Sequence, residues 1–494
     1  MHKTHVIKPN FVTKNSILEK NANLSPARHN YVQTNSNVDY LVNLIEESKA
    51  SINVRNNKGR YSYVEIGDIN TNTGGIDYKE VRSIDISSSS VSKLKKDDIL
   101  ISTVRTYLGG IGYVNKELQN LVATKALIVL RKTKKDFSRF YLFGVLRSRF
   151  FIEQVNLILN ASVYPRMEKD NFSELKIPFP TKNNSPEPKK IENLVSLITQ
   201  NILDKEERIK LKNQRIDEQI EKELKENQKV GTFEFRLPRI TDIKGETRID
   251  SGLYKIQYKK EDFLISNYKG GYQNIFELGF DISRGQNLQI TNIGLSLYSE
   301  ENRNNFYTLV LSKYFGNRIY ERVSFLGSAR KLKTIQKGDI IFSCRGEMGR
   351  SIIFPDQPKK MITNIDNVHI SSKTRQLYEK IFLFVFLGYL KKVKILDSIA
   401  CTGSGAPSFT QYQFEKLKIP NFIEAKQKEI VKEYYNPIEK SSNLNFENYL
   451  EKEKARNAEA GIFQLNMELF SLREKLEDLV DKIVKEENIE IEFN

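Results

Sequence analysis

Two arginine–glycine segments carry side chains suited to binding a polyanion. Arg105, with Tyr107 beside it, and Arg345, with Arg350 beside it, each follow an apolar run and precede a glycine by four residues. A guanidinium group can grip the O6 and N7 atoms of guanine with two hydrogen bonds, or it can clamp a phosphate. The spacing therefore predicts two exposed turns that contact nucleic acid.

Other basic, aromatic and small polar residues extend this candidate interface. They are Arg60, Tyr61, Tyr63, Tyr164, Arg166, Lys169, Arg330, Lys331, Lys333 and Ser404. For any one cation a solvated surface charge is the simpler interpretation, whereas the set favours nucleic-acid binding. The glycines on either side of Ser404 would let the backbone approach a phosphate closely.

Composition supports the same class of partner. Lys and Arg total 78 against 62 acidic residues, which gives a net charge of +16. Such an excess favours a polyanion, because each phosphate that a cation neutralises releases a condensed counterion. An AT-rich gene would also enrich lysine, so charge alone does not decide. Cysteine occurs only at Cys344 and Cys401 and the four histidines lack ligand spacing, so we expect neither a disulfide framework nor a metal site.

The sequence offers no catalytic motif that we recognise. There is no Pro-Pro pair, so the Asn/Asp-Pro-Pro-aromatic loop of an adenine methyltransferase is missing, and there is no glycine-rich loop ending in Lys-Ser/Thr. Asp356 and Glu174-Leu-Lys176 supply halves of a nuclease site but lie far apart. We therefore expect no catalytic residue and no cofactor in this chain.

We expect neither a secretory signal nor a membrane-spanning segment in the chain. The opening residues MHKTHVIKPN lack the apolar core of a secretory signal. The longest apolar run, Ile381 to Leu390, is too short to span a bilayer and predicts a buried helix instead. The expected location is the cytoplasm.

The elements that position these residues are duplicated along the chain. Lys93–Val114 resembles Lys331–Phe354, with Asp98 and Asp339 lying 241 residues apart. The block FSELKIPFP, 172–180, resembles FEKLKIPNF, 414–422, at a separation of 242. A weaker echo pairs Tyr61–Asn70 with Tyr307–Gly316, which chance similarity of strands would also explain. The first two echoes predict two related domains.

A long helical pattern follows each domain. In the first, Val195, Ile202, Ile209 and Ile216 recur every seven residues, although the companion positions Lys205, Lys212 and Gln219 are polar. In the second, alternate spacings of three and four connect Ala455, Ala458, Ile462, Leu465, Leu469, Leu472, Leu476, Leu479 and Ile483. We expect the two helices to pack antiparallel on each other; pairing with another chain is the alternative.

These patterns predict an α+β protein with two related α/β domains, separated by two long antiparallel coiled-coil helices. The expected boundaries are 1–183 for the first domain, 184–230 for the first helix, 231–422 for the second domain and 423–494 for the second helix.

The duplicated blocks, in this order and spacing, resemble the specificity subunit of type I restriction–modification systems. The resemblance rests on Asp97–Gly110, Gly338–Gly349, the run Gly403–Pro420 with its partner ending at Pro178, and the segments RIDSGLY, 248–254, and SPARHNY, 25–31. The first half departs from the pattern, because Asn160-Ala-Ser162 replaces the Gly-Ser-Gly loop.

The resemblance implies two α/β target-recognition domains in a pseudo-twofold repeat, and a function in DNA methylation and phage defence. Each domain would recognise a few base pairs in the major groove of double-stranded DNA, and the helical rod would fix the spacing between half-sites. The helices would dock two methyltransferase (M) subunits, which bind S-adenosylmethionine, and motor-nuclease (R) subunits would be optional partners. Two alternatives stay open: the specificity subunit of another phage-defence methylation system, and a non-catalytic coiled-coil scaffold or RNA-binding adaptor.

Overall fold

The chain folds into two compact units. The computed structural model describes residues 5–9, 11–15, 29–34, 37–56, 58–159, 166–246, 251–400 and 408–493. Unit 1 comprises Met1–Glu207, Glu439–Ala458 and Met467–Asn494, and unit 2 comprises Arg208–Ile438 and Glu459–Asn466. Each unit therefore contains a sheet-bearing part together with segments of the helical regions.

Unit 1 is built from short strands in two main sheets. Its strands are β1 (Val6–Ile7), β2 (Tyr31–Val32), β3 (Asn37–Tyr40), β4 (Ile45–Glu47), β5 (Ser51–Asn53), β6 (Arg60–Val64), β7 (Lys79–Arg82), β8 (Ser90–Lys93), β9 (Ile99–Ser102), β10 (Ile111–Tyr113), β11 (Leu121–Ala123), β12 (Leu127–Thr133) and β13 (Lys176–Phe179). The sheet orders are β10-β9-β12-β4 and β5-β8-β11-β6-β7, with two-stranded ladders β1-β2 and β13-β3. Its helices are α1 (Leu41–Leu44), α2 (Arg139–Leu146), α3 (Arg149–Leu159) and the start of α4 (Pro188–Glu226).

The core of unit 1 lies between the two main sheets. Leu100 and Val129, from β9 and β12, pack with Val64 and Leu121, from β6 and β11. All four residues of β9 are buried, which matches its unbroken apolar run and its inner place in the sheet. A five-stranded and a four-stranded sheet thus share one hydrophobic layer.

Unit 2 repeats this construction with fewer strands. Its strands are β14 (Tyr272–Gln273), β15 (Asp281–Arg284), β16 (Ser296–Ser299), β17 (Tyr307–Val310), β18 (Ser324–Ser328), β19 (Ile340–Ser343), β20 (Ser351–Ile353), β21 (Met361–Thr363), β22 (Asn367–Ser371) and β23 (Ile419–Pro420). The sheet orders are β15-β22-β19-β20, β16-β18-β17-β21 and β14-β23. Its helices after α4 are α5 (Ile240–Glu246), α6 (Ile256–Ser266), α7 (Ile290–Ile293), α8 (Leu377–Lys392), α9 (Ile395–Ile399), α10 (Gln411–Lys416) and α11 (Glu424–Tyr434).

The strand pairings of the two units confirm the duplication. In unit 1 β9 lies between β10 and β12 and is antiparallel to both, and β19 lies in the same way between β20 and β22. Each Ile-Pro block forms a strand that pairs with an early strand of its own unit, β13 with β3 and β23 with β14. The predicted fold class, two mixed α/β domains with a long helix in the chain between them, is confirmed.

The weak third echo is also real. Tyr63 of β6 pairs in parallel with Val122 of β11, and Leu309 of β17 pairs in parallel with Ile362 of β21. A short 3₁₀ helix follows each strand, at Ile66–Asp68 and at Ser312–Tyr314. Two similar local geometries in corresponding places show that chance resemblance is not the explanation.

The two helical regions differ in continuity. Helix α4 is unbroken over 39 residues. The region 423–494, expected as one long helix, instead contains α11, α12 (Tyr449–Glu459) and α13 (Ile462–Lys485). The break between α12 and α13 falls at Gly461, where a Cβ atom would lie 2.4 Å from the backbone nitrogen of Asn436. The helix is therefore interrupted where another backbone lies close, although the heptad spacing continues on both sides.

Within unit 1, α4 and α13 run antiparallel. The side chain of Asn184, just before α4, donates to the carbonyl of Lys482 at 3.0 Å, and Lys205, twenty-one residues later, contacts Glu468 at 2.6 Å. Contacts from later residues of α4 thus reach earlier residues of α13, as the antiparallel prediction requires.

Two of the three polar positions of the first seam, Lys205 and Lys212, are buried and have partners on other helices. Lys205, only 1% exposed, donates to Asn457 and Glu468, each at 2.6 Å. Lys212, in unit 2, donates to Glu433 at 3.1 Å. A seam that looks weak by apolar count therefore includes buried ion pairs, which favour one particular partner because an unpaired buried charge is costly.

Helix α8 confirms the interpretation of the longest apolar run. Ile381 to Leu387 are all buried in unit 2. Arg318 extends over Gly388, where a Cβ would lie 2.7 Å from the guanidinium Nε. In the described ranges no helix is both long and apolar enough to cross a bilayer.

Candidate nucleic-acid interface

The turn that carries Arg345 in unit 2 is tightly anchored. After β19, the Ser343 hydroxyl donates to the carbonyl of Arg345 at 2.8 Å, and the Ser343 amide donates to the carbonyl of Arg350 at 2.9 Å. The amide of Phe409 donates to the carbonyl of Cys344 at 3.0 Å. Gly346 adopts a left-handed conformation, with φ at 68°. The backbone is thus fixed on both sides while the side chain of Arg345 is exposed.

Unit 1 contains the same turn. The Ser102 hydroxyl donates to the carbonyl of Val104 at 2.8 Å, and the Ser102 amide donates to the carbonyl of Gly110 at 2.8 Å. The amide of Met167 donates to the carbonyl of Thr103 at 2.8 Å. Two turns held by the same three hydrogen bonds are the most specific internal similarity between the units.

The hydrogen bonds show that Arg105 and Arg345 are not equivalent positions. Counted from the anchoring serine, Arg345 corresponds to Val104, and Arg105 corresponds to Gly346. The backbone agrees, because Arg105 and Gly346 both have positive φ, 49° and 68°. The two arginines have the same spacing to the glycine that closes each turn, but the turn of unit 2 is one residue shorter, so their spacing from the serine differs.

Arg105 has an unusual backbone for its residue type. A left-handed conformation costs a non-glycine residue roughly 1–2 kcal/mol. Its side chain is exposed, and it has no ion pair or side-chain hydrogen bond to any residue that the structure describes. An arginine held in a strained conformation without an internal partner fits a role in contacting an external anion.

Arg166 belongs to the same surface of unit 1. Its backbone forms a bridge with Val104, and its side chain is exposed. Two candidate residues far apart in sequence, Arg105 and Arg166, are thereby brought together. Tyr107 lies half-buried in the 3₁₀ helix Thr106–Leu108.

Three other candidates lie outside the described residues in whole or in part. Tyr164 and Ser404 fall in the ranges 160–165 and 401–407, which the structure does not describe. The backbone of Lys169 begins the 3₁₀ helix Lys169–Ser173, and its side chain is not described.

Tyr61 and Tyr63 require a correction. Their side chains are 3% and 5% exposed and pack with Val91 and Val122 in the core of unit 1. Strand β6 is an inner strand with a layer of side chains on each face, so neither ring reaches the surface. Arg60, at the start of the same strand, is exposed and pairs with Glu80 at 2.7 Å.

The remaining cations of unit 2 differ in how firmly they are held. Arg330 donates to the carbonyl of Asn292 at 2.8 Å, and Arg350 donates to that of Phe315 at 2.7 Å. Lys333 donates to the carbonyl of Arg284 at 2.8 Å, and burial lowers its pKa. Lys331 is exposed. The first three therefore stabilise loops as well as contributing positive charge.

The structure adds Arg284 to this surface, although no motif in the sequence indicates it. Arg284, at the end of β15, lines a cavity of 400 Å³ together with Arg345. In the sequence it is an isolated arginine 61 residues before Arg345. Only the pairing of β15 with β22 brings the two side chains together.

The positions predicted to pack between helices are almost all buried. Val195, Ile202, Ile209, Ile216, Leu465, Leu469, Leu476, Leu479 and Ile483 are 9% exposed or less. Leu472 is half-buried and borders a small cavity beside Tyr449. Within the described part of the chain, no cluster of three or more His, Cys, Asp or Glu side chains could hold a metal ion.

The repeated α/β units and their anchored, arginine-bearing turns define a protein with two recognition modules of one type. The family model for the type I restriction modification DNA specificity domain matches residues 37–222 and 288–438, which include both turns. The chain therefore belongs to this family and is a DNA-recognition specificity subunit, as the resemblance implied.

Solved structures of related proteins are similar over most of the chain. The HsdS subunit from Thermoanaerobacter tengcongensis is 16% identical, with 92% of this chain and 98% of that chain covered and a TM-score of 0.30. The type I restriction–modification S subunit from M. genitalium is 14% identical, with 91% and 96% covered and a TM-score of 0.45. A search of curated proteins gave no significant match. Because identity and TM-score are both low, the family assignment rests on the family model.

Proposed function

We propose that this chain recognises a two-part target in double-stranded DNA, with one half-site bound by each unit. The observation that carries the proposal is the repeated turn, which is anchored by a serine and presents in both units an exposed arginine with no partner among the described residues. The surrounding sequences differ between the units, which fits modules that recognise different bases. The net charge of +16 adds a sequence-independent attraction to the phosphates.

In this proposal the chain is not itself an enzyme. Two methyltransferase (M) subunits bind S-adenosylmethionine and carry out base flipping, and motor-nuclease (R) subunits join when the complex cleaves DNA. This division of labour is supported by membership of the specificity family. The complex would act in the cytoplasm, where it meets its DNA.

The helices are the proposed docking elements for the methyltransferase subunits. From Pro188 to Glu207 helix α4 is mostly buried within unit 1. Further along, in unit 2, it exposes Gln214, Arg215, Glu218 and Lys222, which recur on one face. A polar, regularly spaced face of a rigid helix suits a protein partner that must be held in a fixed orientation.

The proposal is tested by mapping methylation in cells. The chain would be expressed with its methyltransferase subunits in a host without DNA methyltransferases, and modified adenines would be located by single-molecule sequencing. We expect a motif of two short defined parts separated by a spacer of constant length. A matched culture with a catalytically inactive methyltransferase subunit provides the control. A single continuous motif, or methylation without sequence preference, would contradict the proposal.

A further inference from the structure

One end of a sheet in unit 2 places two arginines beside one cleft. Arg284 ends β15 and pairs with Val368 of the neighbouring strand β22. On the other side of β22, Phe342 of β19 pairs with the same Val368, and Arg345 follows three residues later. Both arginine side chains line the 400 Å³ cavity. The shared partner strand therefore sets the separation of the two backbone segments that carry these arginines.

Neither guanidinium group has a partner within the described part of the chain. Both side chains are exposed, and neither forms a hydrogen bond or an ion pair there. Both charges act on the thiol of Cys344. Burial raises the pKa of that thiol to about 12, while the two positive charges act in the opposite direction. The cleft thus holds two nearby positive charges with free hydrogen-bond donors.

Hydrogen-bond acceptors line the same cleft. Asp281, Asp366 and the amide of Gln411 border it alongside the arginines. Two carboxylates would repel a phosphate and offset the two positive charges. Base edges in the major groove require donors and acceptors together, because guanine offers two acceptors and cytosine offers an N4 donor. The composition of the cleft therefore favours a base pair over a phosphate.

We propose that Arg284 is a specificity-determining residue of unit 2, and that Arg284 and Arg345 bind the major-groove edge of guanine in the half-site that this unit recognises. This inference rests on the proposed function of the chain. It adds a residue to the interface that the sequence motifs did not include.

The backbone of Arg284 is held rigidly, as a base-contacting residue requires. Lys333 donates to its carbonyl at 2.8 Å, and the amide of Gly285 donates to the carbonyl of Asn367 at 2.9 Å. A Cβ atom on Gly285 would lie 2.2 Å from the carbonyl oxygen of Asn364, so only glycine allows this approach. A fixed backbone leaves only the side chain to be ordered when DNA binds.

The arginine pair is specific to unit 2. At the position equivalent to Arg345, unit 1 has Val104, which carries no charge. Removing either arginine should therefore change recognition of one half-site only.

The experiment compares methylation motifs of the complete complex containing Arg284→Ala, Arg284→Lys or Arg322→Ala. Lysine keeps the charge but lacks the planar fork that lets arginine make two parallel hydrogen bonds. Arg322 is the matched control, because it is exposed, pairs with Glu300 at 2.7 Å and lies outside the cleft. The thermal unfolding temperature of each complex would be measured alongside.

For both Arg284 variants we expect the preference for guanine at one position to fall about 5- to 150-fold, with the other half-site and the unfolding temperature unchanged. Arg322→Ala should leave the motif intact. An unchanged motif for Arg284→Ala would overturn the inference. Equal weakening of all sites with a smaller salt dependence would also overturn it, because that result indicates a phosphate contact. If the unsubstituted complex gave no two-part motif, the proposed function itself would fail.

Discussion

At the scale of single residues, the two anchored turns are held by serine and backbone hydrogen bonds and not by their arginine side chains. The serine and the carbonyls around it fix the chain, so an arginine in the turn can be replaced without unfolding its surroundings. This makes Arg345 a suitable position for testing binding independently of stability.

Arg345→Ala should weaken DNA binding by about 1–3 kcal/mol without lowering the unfolding temperature. The reason is that its exposed guanidinium group has no partner in the described structure to lose. Fluorescence anisotropy with target and non-target duplexes would measure the change, and Arg345→Lys is the control that keeps the charge. Unchanged affinity and unchanged specificity would place this side chain in solvent.

Tyr61 should behave as a core residue. Its 3% exposure predicts that Tyr61→Ala costs about 3–5 kcal/mol of unfolding free energy, measured by urea denaturation. Tyr61→Phe keeps the ring and should preserve both folding and the methylation motif. A changed motif for the phenylalanine variant would return this residue to the interface.

Local sequence predicted the exposed arginines but misjudged the tyrosines for a physical reason. Arg105 and Arg345 each follow an apolar strand and lie in a turn with glycine, a pattern that places them at the end of a sheet. The alternation in β6, by contrast, places Tyr61 and Tyr63 on one face without saying whether that face is covered. Coverage depends on residues such as Val54, Ile86 and Val122, which pack with the two rings but lie elsewhere in the sequence. Arg284 was missed for the same reason.

At the scale of the elements, buried polar contacts make the packing of α4 specific for particular helices. In unit 1 Lys205 contacts residues of both α12 and α13, and Asn201 donates to the hydroxyl of Tyr449 at 2.8 Å. Heptad spacing predicted the packing surface, but it could not predict the break at Gly461, which depends on a neighbouring backbone. The heptad pattern does not reveal the partners of Lys205 and Lys212, because these partners lie more than 200 residues away.

Lys205→Ala should destabilise the protein by about 3–5 kcal/mol, because it removes the donor to the buried Asn457 and one of the cations that pair with Glu468. Chemical denaturation followed by circular dichroism would measure the loss. Lys190→Ala is the control on the same helix: its pair with Glu187 is exposed and should contribute no more than about 1 kcal/mol. Similar losses for the two variants would contradict the importance of burial.

Glu468 should make the stability of the protein sensitive to acid. Burial tends to raise its pKa, but the hydrogen bond from Arg456 and the charge of Lys205 outweigh this and lower the pKa to about 2. As the pH falls below the ordinary value of 4.5, the unfolded chain takes up this proton first, so stability decreases between about 4.5 and 2. Glu468→Gln should reduce the slope of unfolding free energy against pH in this range. An identical slope would contradict the prediction.

For the whole molecule, the duplication implies that target recognition is modular. Exchanging residues 1–180 for those of a homologue should change one half-site and leave the other intact. Methylation mapping of the hybrid complex measures this directly, and the reciprocal exchange of residues 231–422 is its control. A change in both half-sites would contradict the assignment of one half-site to each unit.

The unequal lengths of the two anchored turns have a consequence for how targets diverge. A codon gained or lost inside such a turn leaves the flanking strands in register, because the serine and the closing carbonyl meet in either case. Evolution can therefore alter how far an arginine extends from the sheet as well as which residue occupies the turn. Insertions and deletions here would give new sequence preferences in a single genetic event, without a destabilised intermediate.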